Sequence, residues 1–372
     1  MAESLVALHA TDAATVFLSA GARLAGSGGE AVQAVERALY EDRTLARMHG
    51  MRQTLFVVPA ALAAVVQAST TREVAVKERA SFLKFAAGGG FDAAWIAALE
   101  DETLAELRFR GRATGAELAR AVPGLRAAAV YGAGTKSETK ATMVTRLLRN
   151  LGMDGRIVRD RPVGTWTSSQ FRWAVSDGPA EVCVDMFGVD GAGVDEFGID
   201  EAKDMLLRCW LAAFGPGTVA DLKWWTGWKV TDVRKALARV GAIEVVLADG
   251  TGFVLADDVD PVAAPEPWAA LLPGLDPTPM GWQQREWYLP VAYRAALFDH
   301  SGNVGPTVWW NGEVVGGWAQ RTDGEVAMRL FADVGAAASA AIEAETARWS
   351  AWVGDVRITP RFRTPLEREL TK

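Results

Sequence analysis

The side chains able to do chemistry in this chain are scarce in one class and crowded in another. Histidine occurs only at His9, His49 and His300, and cysteine only at Cys183 and Cys209. No histidine has a second His or Cys at ligand spacing, which argues against a zinc enzyme, and no metal site is expected. No strand–helix junction carries a Gly-rich phosphate cradle, so the expected cofactor set is empty. Two cysteines cannot build a disulfide framework and point to a reducing cytoplasm. Positive charge is the abundant resource. Between Arg108 and Arg172 stand thirteen Lys and Arg against four acids, a local net charge of +9. The whole chain carries −7, so the remainder carries −16. Such segregation suits a polyanion-facing surface on an otherwise acidic protein. Within the segment, Lys136, Lys140, Arg146 and Arg149 recur at helical spacing near an expected helix N-terminus. That is a phosphate-binding stripe or, on the same spacing, a solvated helix face. Arg159 and Arg161 follow on an expected strand and complete the basic candidate set.

These residues need elements to position them. At 372 residues the chain exceeds a single typical domain, and several units with their own cores are expected. Half of it is hydrophobic and 23% charged, which excludes a disordered chain. No apolar run approaches the roughly 20 residues that span a bilayer, and no signal-peptide core opens the chain, so no membrane partner is expected. Residues 218–225 read as a short helix with a Thr N-cap and an acid in its first turn. Residues 231–240 read as a second helix, apolar at Val233, Ala236, Leu237 and Val240. Strands over 243–247 and 252–255 are joined by Ala248-Asp249-Gly250. Helix, turn, helix, hairpin is the order of a winged helix-turn-helix. The basic segment repeats the plan, with helices over 114–121 and 137–150 and strands over 155–161 and 166–175. A third copy is expected near the N-terminus, with a helix over 29–40 and strands near 45–49 and 53–58. After Asp260 the reading is short strands over 305–322 and 326–331, a helix over 335–352 and an arm through Arg357, Arg361 and Arg363. Asp276 beside Pro277 reads as a turn cap.

Several blocks carry a resemblance. They are Leu8-His-Ala-Thr-Asp12, His49-Gly-Met-Arg-Gln-Thr54, Phe214-Gly-Pro-Gly-Thr-Val-Ala-Asp-Leu222 and Trp224-Trp-Thr-Gly227. Leu271-Leu-Pro-Gly-Leu-Asp276, Met280-Gly-Trp282 and Gly302-Asn-Val-Gly-Pro-Thr307 continue the series. Together, and in this order, they resemble the AlkZ-like winged-helix DNA glycosylase family over nearly the whole chain. The resemblance implies an α+β fold: tandem winged helix-turn-helix motifs around a basic channel, with a C-terminal β-containing domain. The expected division is a first winged-helix unit over 1–107 and a basic second unit over 108–178. An acidic linker over 179–205, a third unit over 206–260 and a mixed α/β domain over 261–372 follow. It also implies a monomeric enzyme whose partner is double-stranded DNA carrying alkylated purines.

The family's catalytic signature is Gln, a hydrophobic residue, then Gln or Asp. The matching block here is His9-Ala10-Thr11, followed by Asp12, and neither glutamine is retained. The chain begins eight residues before the motif, where relatives carry a further helix; either that helix is absent or the true start lies upstream. An N7- or N3-alkylated purine is already a cationic leaving group, so its glycosidic bond needs an oriented water and a stabilised oxocarbenium-like sugar rather than a strong acid. A neutral His9 has one donor and one acceptor for that water. Thr11 can hold water, and Asp12 supplies a carboxylate one position late. Both Thr11 and Asp12 equally suit the N-cap of a helix over 13–23. His49 and Arg52 could contact phosphate flanking the lesion; alternatively Arg52 holds a carboxylate. The expected function is excision of alkylated purines, including bulky N7-guanine adducts or crosslinks made by genotoxic natural products. The competing class is a non-catalytic winged-helix DNA binder, a transcription regulator or damage sensor.

Overall fold

The computed structural model describes residues 1–131, 134, 138–176, 198–248 and 250–372. Lys136, Cys183, Asp249 and the expected acidic linker as far as residue 197 lie outside the described residues. The chain opens with β1 (Leu8–His9), α1 (Ala13–Gly21), α2 (Gly28–Tyr40), β2 (Leu45–His49) and β3 (Leu55–Pro59). Next come α3 (Ala60–Val66), α4 (Arg72–Gly88), α5 (Ala93–Arg110), β4 (Ala113–Thr114) and α6 (Gly115–Ala121). Then follow β5 (Ala128–Tyr131), β6 (Thr139–Thr142), α7 (Met143–Met153), β7 (Ile157–Pro162) and β8 (Phe171–Val175). Beyond these lie α8 (Ile199–Phe214), α9 (Val219–Thr226), α10 (Val230–Val240), β9 (Ile243–Leu247), β10 (Gly250–Val254) and β11 (Ala269–Leu272). The last elements are α11 (Arg294–Leu297), β12 (Thr307–Trp310), β13 (Glu313–Gln320), β14 (Val326–Leu330), α12 (Gly335–Val353) and α13 (Pro365–Leu370).

Contacts group these elements into two compact units. A motif unit holds Met1–Leu45, Phe56–Pro59 and Asp204–Lys372; a basic unit holds Ala46–Leu55 and Ala60–Lys203. The first 45 residues therefore group with the C-terminal half rather than with 60–107, as the sequence division had them. Side chains on α1 are the reason. Thr15 Oγ1 donates to the Gly274 carbonyl at 2.9 Å, and the Arg23 guanidinium grips Asp276 through two hydrogen bonds of 2.7 and 2.8 Å.

In the motif unit α1 is apolar around nearly its whole circumference, and all nine of its residues are buried. Gly21 is required by close approach, because a Cβ there would lie 2.4 Å from the Trp352 ring. An antiparallel sheet in the order β11-β12-β13-β14 carries the core of Tyr288, Leu289, Trp309 and Val314. The helix–helix–hairpin read at 218–255 is present. Thr218 and Asp221 cap α9 reciprocally, and Val233, Ala236, Leu237 and Val240 are the buried face of α10. Two boundaries shift: α10 starts at Val230 after Lys229, and β10 starts at Gly250, pairing with Leu247.

The basic unit packs α4, α5, α6 and α7 around Phe82, Leu99, Leu107, Leu147 and Leu151, beside a sheet in the order β4-β8-β7. One expected element is overturned. The helix read over 137–150 is two elements, because Thr139–Thr142 pairs as β6 with Ala128–Tyr131 and α7 begins only at Met143. The β-branched Thr142 is extended, at φ −86° and ψ 163°, and forms the N-cap. Lys140 is thus an exposed strand residue and shares no helix face with Arg146 and Arg149.

Candidate functional site

In the motif unit His9 stands on β1, opposite Phe56 of β3. Its imidazole is 4% exposed and tilts against the Phe56 ring at 5.1 Å between centroids. Thr11 Oγ1 is buried and makes no hydrogen bond among the described residues, so this hydroxyl can hold a water or a substrate oxygen. Asp12 has both carboxylate oxygens engaged: one accepts from Ala14 N at 3.1 Å, the other from Arg361 N at 2.7 Å. That is helix-capping geometry, and of the two roles open in the sequence the cap is the one its oxygens perform. Beneath the first turn of α1 lies a cavity of about 30 Å³, room for one water, lined by Asp12, Thr15, Trp318, Gln320, Phe362 and Glu367 among others. Burial pushes the Glu367 carboxyl up to about 7, against hydrogen bonds from Thr364 that pull it down; the Asp12 charge adds to the rise. Burial also raises the Cys209 thiol to about 11, which removes it as a nucleophile near neutral pH.

The basic unit gathers cations around a histidine. His49 is buried at the end of β2, and its carbonyl accepts from Thr71 Oγ1 at 2.7 Å. Burial first, then the charges of Arg159 and Arg149, hold its imidazole down to about 3, so it is neutral at physiological pH. Arg159 lies over Phe171 at 5.3 Å and Trp173 at 5.2 Å, while Arg47 covers Phe171 at 4.5 Å. Arg146 lies over Phe85 at 4.6 Å, and Arg149 sits 3.5 Å from Glu78. Arg161 is half-buried on β7. Arg52 adopts a left-handed backbone, φ 52° and ψ 30°, followed by Gln53 at φ 62°. Two such residues in succession without Gly or Asn store local strain. Guanidinium groups ordered on aromatic rings keep their forked donors in place, an arrangement suited to phosphate oxygens.

His49, Arg149 and Arg159 are brought together, and Phe171 links Arg159 to Arg47. Lys140 stands on β6, not on the helix that carries Arg146 and Arg149. The sequence reading missed Arg47 and Phe171, although Arg47 and His49 are two apart on a strand and so share a face. It also missed Glu367 and Arg361 around Asp12. Among the described residues no three His, Cys, Asp or Glu side chains are placed to hold a metal ion, and no single helix is long and apolar enough to cross a membrane.

The model of one protein family, described as DNA glycosylase AlkZ-like, matches residues 2–352. The chain belongs to the AlkZ-like DNA glycosylase family. Over 184 residues it is 29% identical to an interstrand DNA cross-link repair glycosylase of Streptomyces sahachiroi. That match covers 47% of this chain and 49% of the relative, so the chain spans about half the length of the curated relative it matches. The fold is similar to that of the Streptomyces sahachiroi DNA glycosylase AlkZ, at a TM-score of 0.68 and 22% identity. This similarity covers 96% of the present chain and 91% of the other. The mixed α/β architecture is thus that of an AlkZ-like protein along almost its whole length.

Proposed function

We propose that this chain is a monofunctional, monomeric DNA glycosylase of the cytoplasm that hydrolyses the N-glycosidic bond of alkylated purines in duplex DNA. The observation that carries the reading is the family match from residue 2 to residue 352. Its substrates are bulky N7-guanine adducts and crosslinks left by genotoxic natural products; the name of the Streptomyces relative, an interstrand cross-link repair glycosylase, supports that choice. The helix–helix–hairpin units act as winged helices. His49, Arg52, Arg146, Arg149, Arg159 and Arg161 hold phosphates, with Arg47 as an addition and Lys140 at the margin.

At the motif, neutral His9 and the Thr11 hydroxyl orient a water towards C1′ of the sugar. The water oxygen bonds to C1′ as the C1′–N9 bond breaks, and the bonding pair leaves with the cationic purine, which becomes neutral. The proton released by the water passes to solvent or transiently to His9. Asp12 fixes the start of α1 beside these residues. No cofactor enters the scheme.

The test is release of free base from duplexes carrying N7-methylguanine or a bulkier N7-guanine adduct, read as strand breaks after alkaline cleavage of abasic sites. A crosslinked duplex tests unhooking. Release is expected from the bulky adduct. A protein that binds every duplex and releases no base overturns the enzyme reading in favour of a non-catalytic DNA binder. The low exposure of His9, packed on Phe56, is the observation that favours this second reading.

A further inference from the structure

The last turn of α5 presents an aromatic ring where the helix has no use for one. Residues Ile96, Leu99, Thr103, Leu104 and Leu107 recur at three- and four-residue steps and form the buried face. Phe109 comes two residues after Leu107, about 200° further round the helix, and so points away from the core. It is 86% exposed, the most exposed aromatic side chain among the described residues, and lies against no other ring there. The helix then stops at Gly111, whose φ of 72° suits glycine and whose surroundings are open space.

The neighbours of this ring in sequence are Arg108 and Arg110, and one turn back on its own face stand Ala105 and Glu106. Arg108 is exposed and has no carboxylate partner among the described residues. Arg110 is paired with Glu106 one turn back, and Arg112 is held 3.1 Å from Asp160. The Arg112–Asp160 pair ties the tip to β7, the strand on which Arg159 and Arg161 stand. A protein-docking patch would need contiguous apolar surface of a few hundred Å². Here the chain carries an arginine before and after the ring, only Ala105 and Glu106 one turn back, and glycine beyond. A single apolar ring flanked by cations is the composition of a side chain that enters a base stack while its neighbours meet phosphate.

We propose that Phe109 is a wedge that inserts between base pairs of duplex DNA, with Arg108 on the adjoining phosphate. The inference rests on the reading of this chain as a DNA-binding enzyme, and concerns a contact distinct from the excision motif. Partial insertion unstacks one step and bends the duplex, and ring stacking compensates for the lost base stacking. Arg110 and Arg112, already paired, hold the tip in shape.

The experiment is fluorescence-monitored binding of the full chain to an undamaged duplex carrying 2-aminopurine, across a salt series. Wild-type binding is expected to raise 2-aminopurine emission as one step unstacks. Phe109→Ala should bind about tenfold more weakly, the weight of one stacked base, without the emission rise and with an unchanged salt slope. Phe109→Trp should restore both affinity and emission. Arg108→Gln should keep the emission at saturation and flatten the logarithmic salt slope by about 0.9, one phosphate contact. Since Phe109 touches no core residue, neither substitution threatens the fold. Equal affinity and equal emission for wild type and Phe109→Ala would overturn the proposal. No lesion is required, so absent excision leaves the inference standing, whereas a wild type that binds no duplex at any salt overturns both readings.

Discussion

In the motif unit three carboxylates have their oxygens taken up by donors from the protein, and one guanidinium, Arg285, is buried against Trp224 and Phe298. Asp276 is fully buried and takes two hydrogen bonds from Arg23 and one from Thr278 N. Asp221 accepts from Thr218 at one oxygen and from Gln283 N and Gln284 N at the other. Asp12 joins Ala14 N to Arg361 N. In the basic unit the prominent groups are guanidinium ions laid on Phe85, Phe171 and Trp173. A carboxylate with its lone pairs occupied is a staple and has little left to offer a ligand. An arginine supported by a ring face is ordered in place. In the motif unit carboxylates hold backbone segments in place, whereas the arginines proposed to meet phosphate in the basic unit are braced by ring faces.

The widest gap between the units should appear in stability. Asp276→Ala leaves Arg23 half-buried without its partner and should destabilise the protein by about 3–5 kcal/mol. Removing Glu78, which sits 3.5 Å from Arg149 near the surface, should cost no more than about 1 kcal/mol. Chemical denaturation of the two variants checks the contrast, and equal losses would dissolve it.

The response to pH should separate the units by sign. Glu367 titrates at about 7 in the folded protein against 4.5 unfolded, so between those values the folded state keeps a proton that the unfolded chain releases. Stability therefore falls as pH rises through this window, by about 3 kcal/mol once past it. His49, held at about 3 against 6.5, acts oppositely: the unfolded chain binds the proton, and stability falls as pH drops below 6.5, by about 2 kcal/mol at pH 5. Amide hydrogen exchange, corrected for intrinsic rates, should show α13 loosening as pH rises from about 4.5 to 7 and the β2 region loosening as pH drops below 6.5. Glu367→Gln should flatten the first response alone. A common response in both regions would contradict the assignment.

What could be read in advance depended on how far apart in sequence the partners lie. The α9 capping box and the buried face of α10 are local patterns, with donors and acceptors three residues apart, and the residue types alone exposed them. Asp12 as an N-cap was open to the same reasoning; its second partner, Arg361, lies 349 residues away and was not. Arg23 and Asp276 are 253 residues apart, so Asp276 looked like a turn cap, which it also is, while its ion pair stayed hidden. The cation stripe failed for a related reason. Helical spacing from Lys136 to Arg149 ignored the pairing of β6 with β5, which removes Lys140 from the helix. Left-handed Arg52 and Gln53 carry none of the Gly or Asn that usually announces such a turn.

Within the motif, the staple reading of Asp12 predicts a division of labour. His9→Ala should lower excision about a hundredfold, the ordinary weight of a water-orienting group, while duplex affinity is unchanged. Asp12→Asn keeps the acceptor of the N-cap and should stay within about threefold of wild type, whereas Asp12→Ala also loses about 1 kcal/mol of stability. Single-turnover rates alongside thermal melts distinguish the two. A hundredfold loss in Asp12→Asn would make that carboxylate a chemical participant and sharpen the contrast with the other buried acids.

The basic unit makes the complementary prediction, and it is the smallest in free energy. If the ring-supported arginines meet phosphate, Arg159→Gln removes one contact and should flatten the logarithmic salt slope by about 0.9. Affinity at low salt should fall about tenfold, as befits one charge-assisted contact. Arg159 also helps hold His49 neutral, so the same substitution should move His49 titration upward, visible in the imidazole proton resonances. The two readouts separate a DNA contact from a structural cation. A changed His49 titration with an intact salt slope would place Arg159 among the internal supports, and the ring-supported arginines proposed for phosphate would then be Arg47 and Arg146.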